Sequence, residues 1–284
     1  MAAGTLLEHL PERLDICVAR RVGVFFGMRS KARHNLRNNL WRVLAGSSAE
    51  VDSGVLDRFV TRGFENYAQY WAEGAKLPAL AKETMASRFR ISEGLEHLRE
   101  GYARGSGVVV ALPHVGSWEW GGSYIGSLGM TMTAVAEVLD PPELFEWFRS
   151  KRETIGINIE GLDKDAGTKL LNVLKNGGVV GLLCDRDIQG GGIEVEFFGS
   201  RVTLPAGPAT LALRTGATLV AAACYTGPGR DHFAVVTPPI ACVREGRLRD
   251  DVTRVTQLIA YELEGLIRRA PEQWHVLEER FESP

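Results

Sequence analysis

Five consecutive residues, Val108–Leu112 (VVVAL), constrain the fold more tightly than any other stretch of the chain. They form an unbroken run of β-branched and small apolar side chains, closed by Pro113. An alternating strand can leave one face in water, whereas a continuous one must be covered on both, the condition of a parallel sheet with helices above and below. Further apolar segments at 131–137, 158–160, 179–184 and 217–225 are separated by helical stretches at 142–153 and 166–176. This alternation predicts an α/β fold, a single domain with a mixed, mostly parallel central sheet flanked by helices. His232–Val236 fits an added antiparallel strand, and 252–269 a closing helix.

Upstream the texture is helical. Leu6, Leu7, Leu10 and Leu14 recur at helical spacing, and Val55, Phe59, Phe64, Tyr67 and Trp71 mark a further amphipathic helix. No repeat or linker divides the chain, so residues 1–284 read as one domain, with a helical, membrane-associating layer over 1–100 and a catalytic α/β core over 107–284. Residues 20–42 contain seven cations (Arg20, Arg21, Arg29, Lys31, Arg33, Arg37, Arg42) and no acid, interleaved with Val22, Val24, Phe25, Phe26, Leu36, Leu40 and Trp41. Such a segment suits an anionic membrane surface at about 1 kcal/mol per cation. It equally suits a helix packing its apolar stripe on the domain, and the two readings are compatible.

A net charge of −2 argues against a dedicated nucleic-acid binder. Cys17, Cys184, Cys224 and Cys242 are scattered without metal-ligand spacing, and the first three lie in apolar runs. Buried reduced thiols and a cytoplasmic setting are expected. No run reaches bilayer-spanning length, and no signal-peptide pattern opens the sequence.

Three places carry candidate chemistry. His114 falls on the loop beyond the Val108–Leu112 strand, where α/β proteins place their reactive groups. Ser117 is an expected helix N-cap, and Glu119 lies in that helix's first turn, where the dipole favours its anion. The second place is Asp185-Arg186-Asp187, directly after a buried strand, followed by Gly190, Gly191 and Gly192, which permit mobility or close backbone approach. Phe197-Phe198 downstream is either core or the wall of a greasy channel. Pro205 and Pro208 precede a short helix ending at Arg214-Thr215-Gly216, whose N-terminus could receive a phosphate. The third place is a helix on which Arg149 and Arg152, three apart, share a face suited to phosphate or carboxylate.

Together these blocks resemble the lysophospholipid acyltransferase superfamily in its lipid A biosynthesis form, and most of all the actinobacterial phosphatidylinositol mannoside acyltransferases. The superfamily's His-x4-(Asp/Glu) is matched by His114-Val-Gly-Ser-Trp-Glu119. Its R-x-x-R-E-x-x-G helix is matched by Arg149, Arg152, Glu153 and Gly156. An acidic triplet followed by G-(V/I)-E-V-x-F-F-G is matched by Asp185-Arg186-Asp187 and the residues from Gly192 to Gly199. A P-A-G-P-A block with a later T-G is matched from Pro205 to Gly216, and Pro271-Glu-Gln-Trp274 resembles the family's closing motif.

The resemblance implies transfer of a long acyl group, palmitoyl taken as the case, from acyl-CoA to a mannose hydroxyl of phosphatidylinositol mannoside at the cytoplasmic face of the membrane. Acyl-CoA would be a co-substrate, with no cofactor and no metal. His114 would act as general base, since a neutral sugar hydroxyl is a poor nucleophile. Asp185 and Glu119 would complete the catalytic set, Asp185 lying nearer the histidine. Arg152, Arg149, Arg186, Asp187, Gly191 and Arg214 would bind substrate. No GxSxG motif is present, so direct attack without an acyl-enzyme is expected. Acylation of another membrane lipid, or lipid binding without catalysis, are the alternatives.

Overall fold

The computed structural model describes residues 12–46, 51–138 and 140–281. Among them the strands are β1 (Phe89–Glu93), β2 (Val108–Leu112), β3 (Met132–Ala136), β4 (Ile157–Gly161), β5 (Val179–Leu183), β6 (Ile193–Phe197), β7 (Ser200–Leu204), β8 (Thr218–Thr226) and β9 (His232–Val236). Seven form one sheet in the order β1-β9-β8-β2-β5-β3-β4, while β6 and β7 make a separate hairpin. Every pairing in the large sheet is parallel except β8 with β9.

β2 lies in the middle, buried along its whole length. Val109 and Ala111 face a core shared with helices α8 (Ala166–Lys175), α9 (Gly207–Thr215) and α10 (Leu248–Arg269). Val108, Val110 and Leu112 face the opposite core, shared with α5 (Leu95–Ala103), α6 (Trp118–Ser127) and α7 (Pro142–Thr154). The unbroken apolar run is thus the consequence of two covered faces.

The N-terminal layer comprises α1 (Glu12–Gly27), α2 (Ala32–Ala45) and α3 (Ser53–Lys76), with short α4 (Lys82–Arg88) following. α1 lies close against α3, since a Cβ at Gly23 would stand only 2.4 Å from Ala68 Cβ. Leu6, Leu7 and Leu10 fall outside the described residues. Two expectations for the first hundred residues are corrected. They are not wholly helical, because β1 pairs in parallel with the distant β9 and its FRISE pattern fully buries Phe89 alone. The stripe on α3 is rotated as well: it buries Leu56, Val60, Phe64 and Ala72 and leaves Trp71 exposed.

The β6–β7 hairpin was also not anticipated. Its signal is the alternation of IEVEF and SRVTL about Phe198-Gly199, both at positive φ (49° and 70°), which suits the twist of a two-residue hairpin turn. Phe197 and Phe198 are buried among Trp274 and Phe281, so they serve as core. Cys184 and Cys224 are buried, but Cys17 is exposed, because α1 turns only one face to α3.

A polar seam joins the layer to the core. Asp15 pairs with Lys76, Arg20 Nε donates to Gln69 (2.8 Å), and Gln69 donates to Glu73 (2.6 Å). Glu73 then faces His232 Nε2 at 3.5 Å, with Trp120 stacked on that imidazole. Burial pushes the Glu73 carboxyl up to about 7 and His232 down to about 4. An acid raised in this way contributes stability that is present below its ordinary range and lost as pH rises through about 7. Relative to wild type, Glu73→Gln is therefore expected to gain stability as pH rises from about 4.5 to 7, read from urea midpoints; a constant difference between the two would refute this.

Candidate active site

Register brings the first two groups together. Leu112 of β2 pairs with Leu183 of the neighbouring parallel strand β5, and two residues beyond each partner stand His114 and Asp185. His114 Nδ1 lies 2.5 Å from Asp185 Oδ1. Asp185 Oδ2 accepts the His114 backbone N–H (2.9 Å) and the Trp274 indole N–H (2.7 Å). The carboxylate is 0% exposed while the imidazole retains 22%. Burial alone would raise the Asp185 carboxyl. The adjacent His114, its ring and amide hydrogen bonds and the Trp274 donor outweigh burial and hold it down to about 2. Asp185 is a permanent anion that fixes and supports an imidazole at the sheet's rim.

The loop folds back sharply after His114. Gly116 has φ +55°, and a Cβ there would stand 2.0 Å from the Cys224 carbonyl oxygen. Ser117 occupies the N-cap position of α6, yet its hydroxyl makes no capping bond, a correction to its expected role.

Glu119 points elsewhere than the imidazole. Its Oε1 accepts the Tyr70 hydroxyl (3.0 Å) and Arg152 Nη2 (3.1 Å), while Oε2 is buried without a hydrogen-bond partner. Burial, then the Glu119 charge, drives Tyr70 well above its ordinary value, so it stays a neutral donor. The Arg152 guanidinium lies over the Trp118 and Phe148 rings, at 5.1 and 5.6 Å. The two pairs are contiguous: His275 donates its backbone N–H to the His114 carbonyl (2.7 Å), and its ring stands 5.2 Å from that of Tyr70. Beside Glu119 and Arg152 opens a cavity of about 120 Å³ between α3 and α7, walled by Tyr70, Trp71, Leu77, Trp147 and Phe148. Its aromatic lining suits hydrocarbon with a few polar anchors.

The other expected residues lie apart from this cluster. Arg149 is paired outward with Glu146 (2.9 Å) and Glu153 (3.5 Å) on its own helix. The two share a side of α7, yet of the pair it is Arg152 that turns inward, its side chain 18% exposed against 41% for Arg149. Arg186 faces Glu278 at 3.3 Å. Asp187 accepts the backbone N–H groups of Gly190 (3.1 Å) and Gly192 (2.8 Å), pinning the glycine loop that exposes Gly191. Arg214 is exposed at the C-terminal end of α9, near Thr218, which pairs with Val108 at the start of β2; that is the sheet edge opposite His114.

Sequence reasoning missed Tyr70, Trp274 as a partner of Asp185, and His275. Only Trp274 had left a trace, in the closing motif. Among the described residues no group of three or more His, Cys, Asp or Glu side chains converges as a metal-ligand set would.

A rim histidine locked to a buried carboxylate has the chemistry to accept a proton from a hydroxyl, and His275 and Tyr70 link it to the aromatic recess. The chain belongs to the bacterial lipid A biosynthesis acyltransferase family, whose model matches residues 1–283. Among curated proteins it is similar to a phosphatidylinositol mannoside acyltransferase of Mycobacterium tuberculosis, 35% identical over 260 residues that cover 89% of this chain and 79% of the relative. A phosphatidylinositol mannoside acyltransferase of Mycolicibacterium smegmatis is 31% identical over 281 residues, covering 98% of this chain and 88% of the relative.

Proposed function

We propose that this acyltransferase moves a long-chain acyl group, palmitoyl in the simplest case, from acyl-CoA to a mannose hydroxyl of a phosphatidylinositol mannoside. The observation that carries the reading is the His114–Asp185 pair at the rim of the sheet, linked through His275 and Tyr70 to Glu119 and Arg152, which line the aromatic recess. The names of the relatives support the glycolipid as acceptor.

With Asp185 accepting from Nδ1–H, His114 Nε2 is left to take the hydroxyl proton. The alkoxide oxygen bonds to the thioester carbonyl, the C–S bond breaks, and the thiolate recovers the proton from the imidazolium. Asp185 holds the required tautomer and stabilises that imidazolium. Arg152, fixed by Glu119, presents positive charge to the donor's phosphates or to the developing oxyanion. No acyl-enzyme forms.

The chain works as a peripheral protein at the cytoplasmic membrane face. Val18, Val22, Phe25 and Phe26 are exposed on α1, the last at 66%, near Arg21 and Arg29. Such a face suits anionic lipid. Among the described residues no helix is long and apolar enough to cross a membrane.

The test is purified protein with palmitoyl-CoA and a panel of phosphatidylinositol mannosides, lysophospholipids and lipid A-like saccharides, read by mass spectrometry. Acyl mannoside is the expected product, and His114→Ala should abolish both transfer and any background thioester hydrolysis. Exclusive transfer to another lipid would replace the acceptor. Stable acyl label on the wild-type protein during turnover would overturn direct attack. Absence of both transfer and hydrolysis would leave a lipid-binding scaffold.

A further inference from the structure

Residues 271–281 run between the loop after His114 and the N-terminal helices. On one side, buried Asn39 of α2 donates to the carbonyls of Val276 (3.0 Å) and Glu278 (2.9 Å) and accepts from the Arg280 amide (3.2 Å). Asn66 of α3 donates to the Glu272 carbonyl (2.9 Å). On the other side, Gly116 N–H donates to the Gln273 carbonyl (3.0 Å), and Val115 forms an isolated β-bridge with Trp274. The Gln273 side-chain amide bonds both the N–H and the carbonyl of Thr226, at 2.8 and 2.9 Å. A strap secured at so many points delivers one side chain into the dyad, that of Trp274.

We propose that Trp274 is a positioning residue for acyl transfer, its indole N–H fixing the plane of the Asp185 carboxylate so that Oδ1 meets His114 Nδ1. The proposal rests on the acyl-transfer reading above. The terminal torsion of an aspartate is broad, so one hydrogen bond does not set its carboxylate plane. Here Oδ2 receives donors from two separate segments, the His114 amide and the Trp274 indole. Together they clamp that oxygen and aim the other. Packing alone does not require tryptophan: Phe197, Phe198 and Phe281 surround the ring at centroid distances of 6.1 to 6.4 Å, contacts that a phenylalanine could also make. What only the indole contributes is a buried N–H, which such rings direct to a partner. Through Asn39 and Asn66 the strap also ties the dyad's geometry to the helical layer.

Trp274→Phe keeps the aromatic packing and removes the donor. Expected are a kcat lower by roughly tenfold to a hundredfold, from loss of a hydrogen bond to a charged group, and KM values for both substrates within about twofold of wild type. In an Asp185→Ala background the same substitution should cost almost nothing further, because the group it acts through is gone. Equal losses in both backgrounds, or a change confined to KM or to melting temperature, would overturn the proposal. A readout independent of turnover is the Trp274 indole N–H resonance in 15N-tryptophan-labelled wild-type protein. It should move on Asp185→Ala and stay in place on Glu119→Gln; an indole signal indifferent to Asp185 would overturn the assignment. An inactive wild-type protein whose indole signal still follows Asp185 would sink the acyl-transfer reading while supporting the Trp274–Asp185 linkage.

Discussion

Asp185→Asn is expected to lower kcat by roughly 10³- to 10⁴-fold while leaving the fold intact, and the loss follows from which atoms the amide must place where. Oδ2 of Asp185 accepts two N–H donors, from the His114 backbone and the Trp274 indole. In the variant that position must be taken by the amide oxygen, because an NH2 group there would confront two donors. The NH2 is therefore turned to His114 Nδ1, which must become an acceptor and drive the ring proton to Nε2. A histidine protonated on Nε2 cannot receive the substrate's proton. Steady-state kinetics with melting temperature as control decide the matter, and a variant within tenfold of wild type would remove Asp185 from the mechanism. Glu119→Gln should lose less than Asp185→Asn, since Glu119 bonds Tyr70 and Arg152 and makes no hydrogen bond to the imidazole. The reverse ranking would reassign the two acids.

Gly116→Ala is expected to destabilise the protein by about 3 kcal/mol or more, combining left-handed backbone strain with overpacking. The added methyl would stand 2.0 Å from the Cys224 carbonyl oxygen and 3.0 Å from its carbon. Those atoms belong to the backbone of β8, an interior strand buried over nearly its whole length, so they cannot yield as a flexible side chain would. Relief has to come from the loop itself, which breaks the Gly116–Gln273 hydrogen bond and displaces His114 two residues earlier. Activity should fall together with the urea midpoint. A destabilisation below about 1 kcal/mol would show that the turn relaxes freely.

Much of the core was legible in the chain because the signals are local. Continuous apolar runs gave the central strands to within a residue or two, and His232–Val236 occupies the antiparallel position its pattern suggested. β1 escaped because an edge strand with one fully buried residue has little pattern, and its partner lies far downstream. The β6–β7 alternation was visible but was overshadowed by the apolar Phe197-Phe198 pair. At the site, strand ends pointed to His114 and Asp185, since chemistry at a parallel sheet gathers at that edge. The arginines were less readable: a shared helical face does not decide which guanidinium turns inward, and Arg149 found Glu146 and Glu153 while Arg152 found Glu119.

By itself the amino-acid order determined the two-sided burial of β2 and the types of group at the rim, because each depends on neighbours a few positions away. Only the tertiary structure decided that Leu112 and Leu183 lie in register, that Tyr70 reaches Glu119 from α3, and that Trp274 comes back to Asp185. Those contacts join residues separated by 71, 49 and 89 positions. They exist because burying both faces of the sheet leaves the helical layer and the strap one place to pack, and no local pattern encodes that placement.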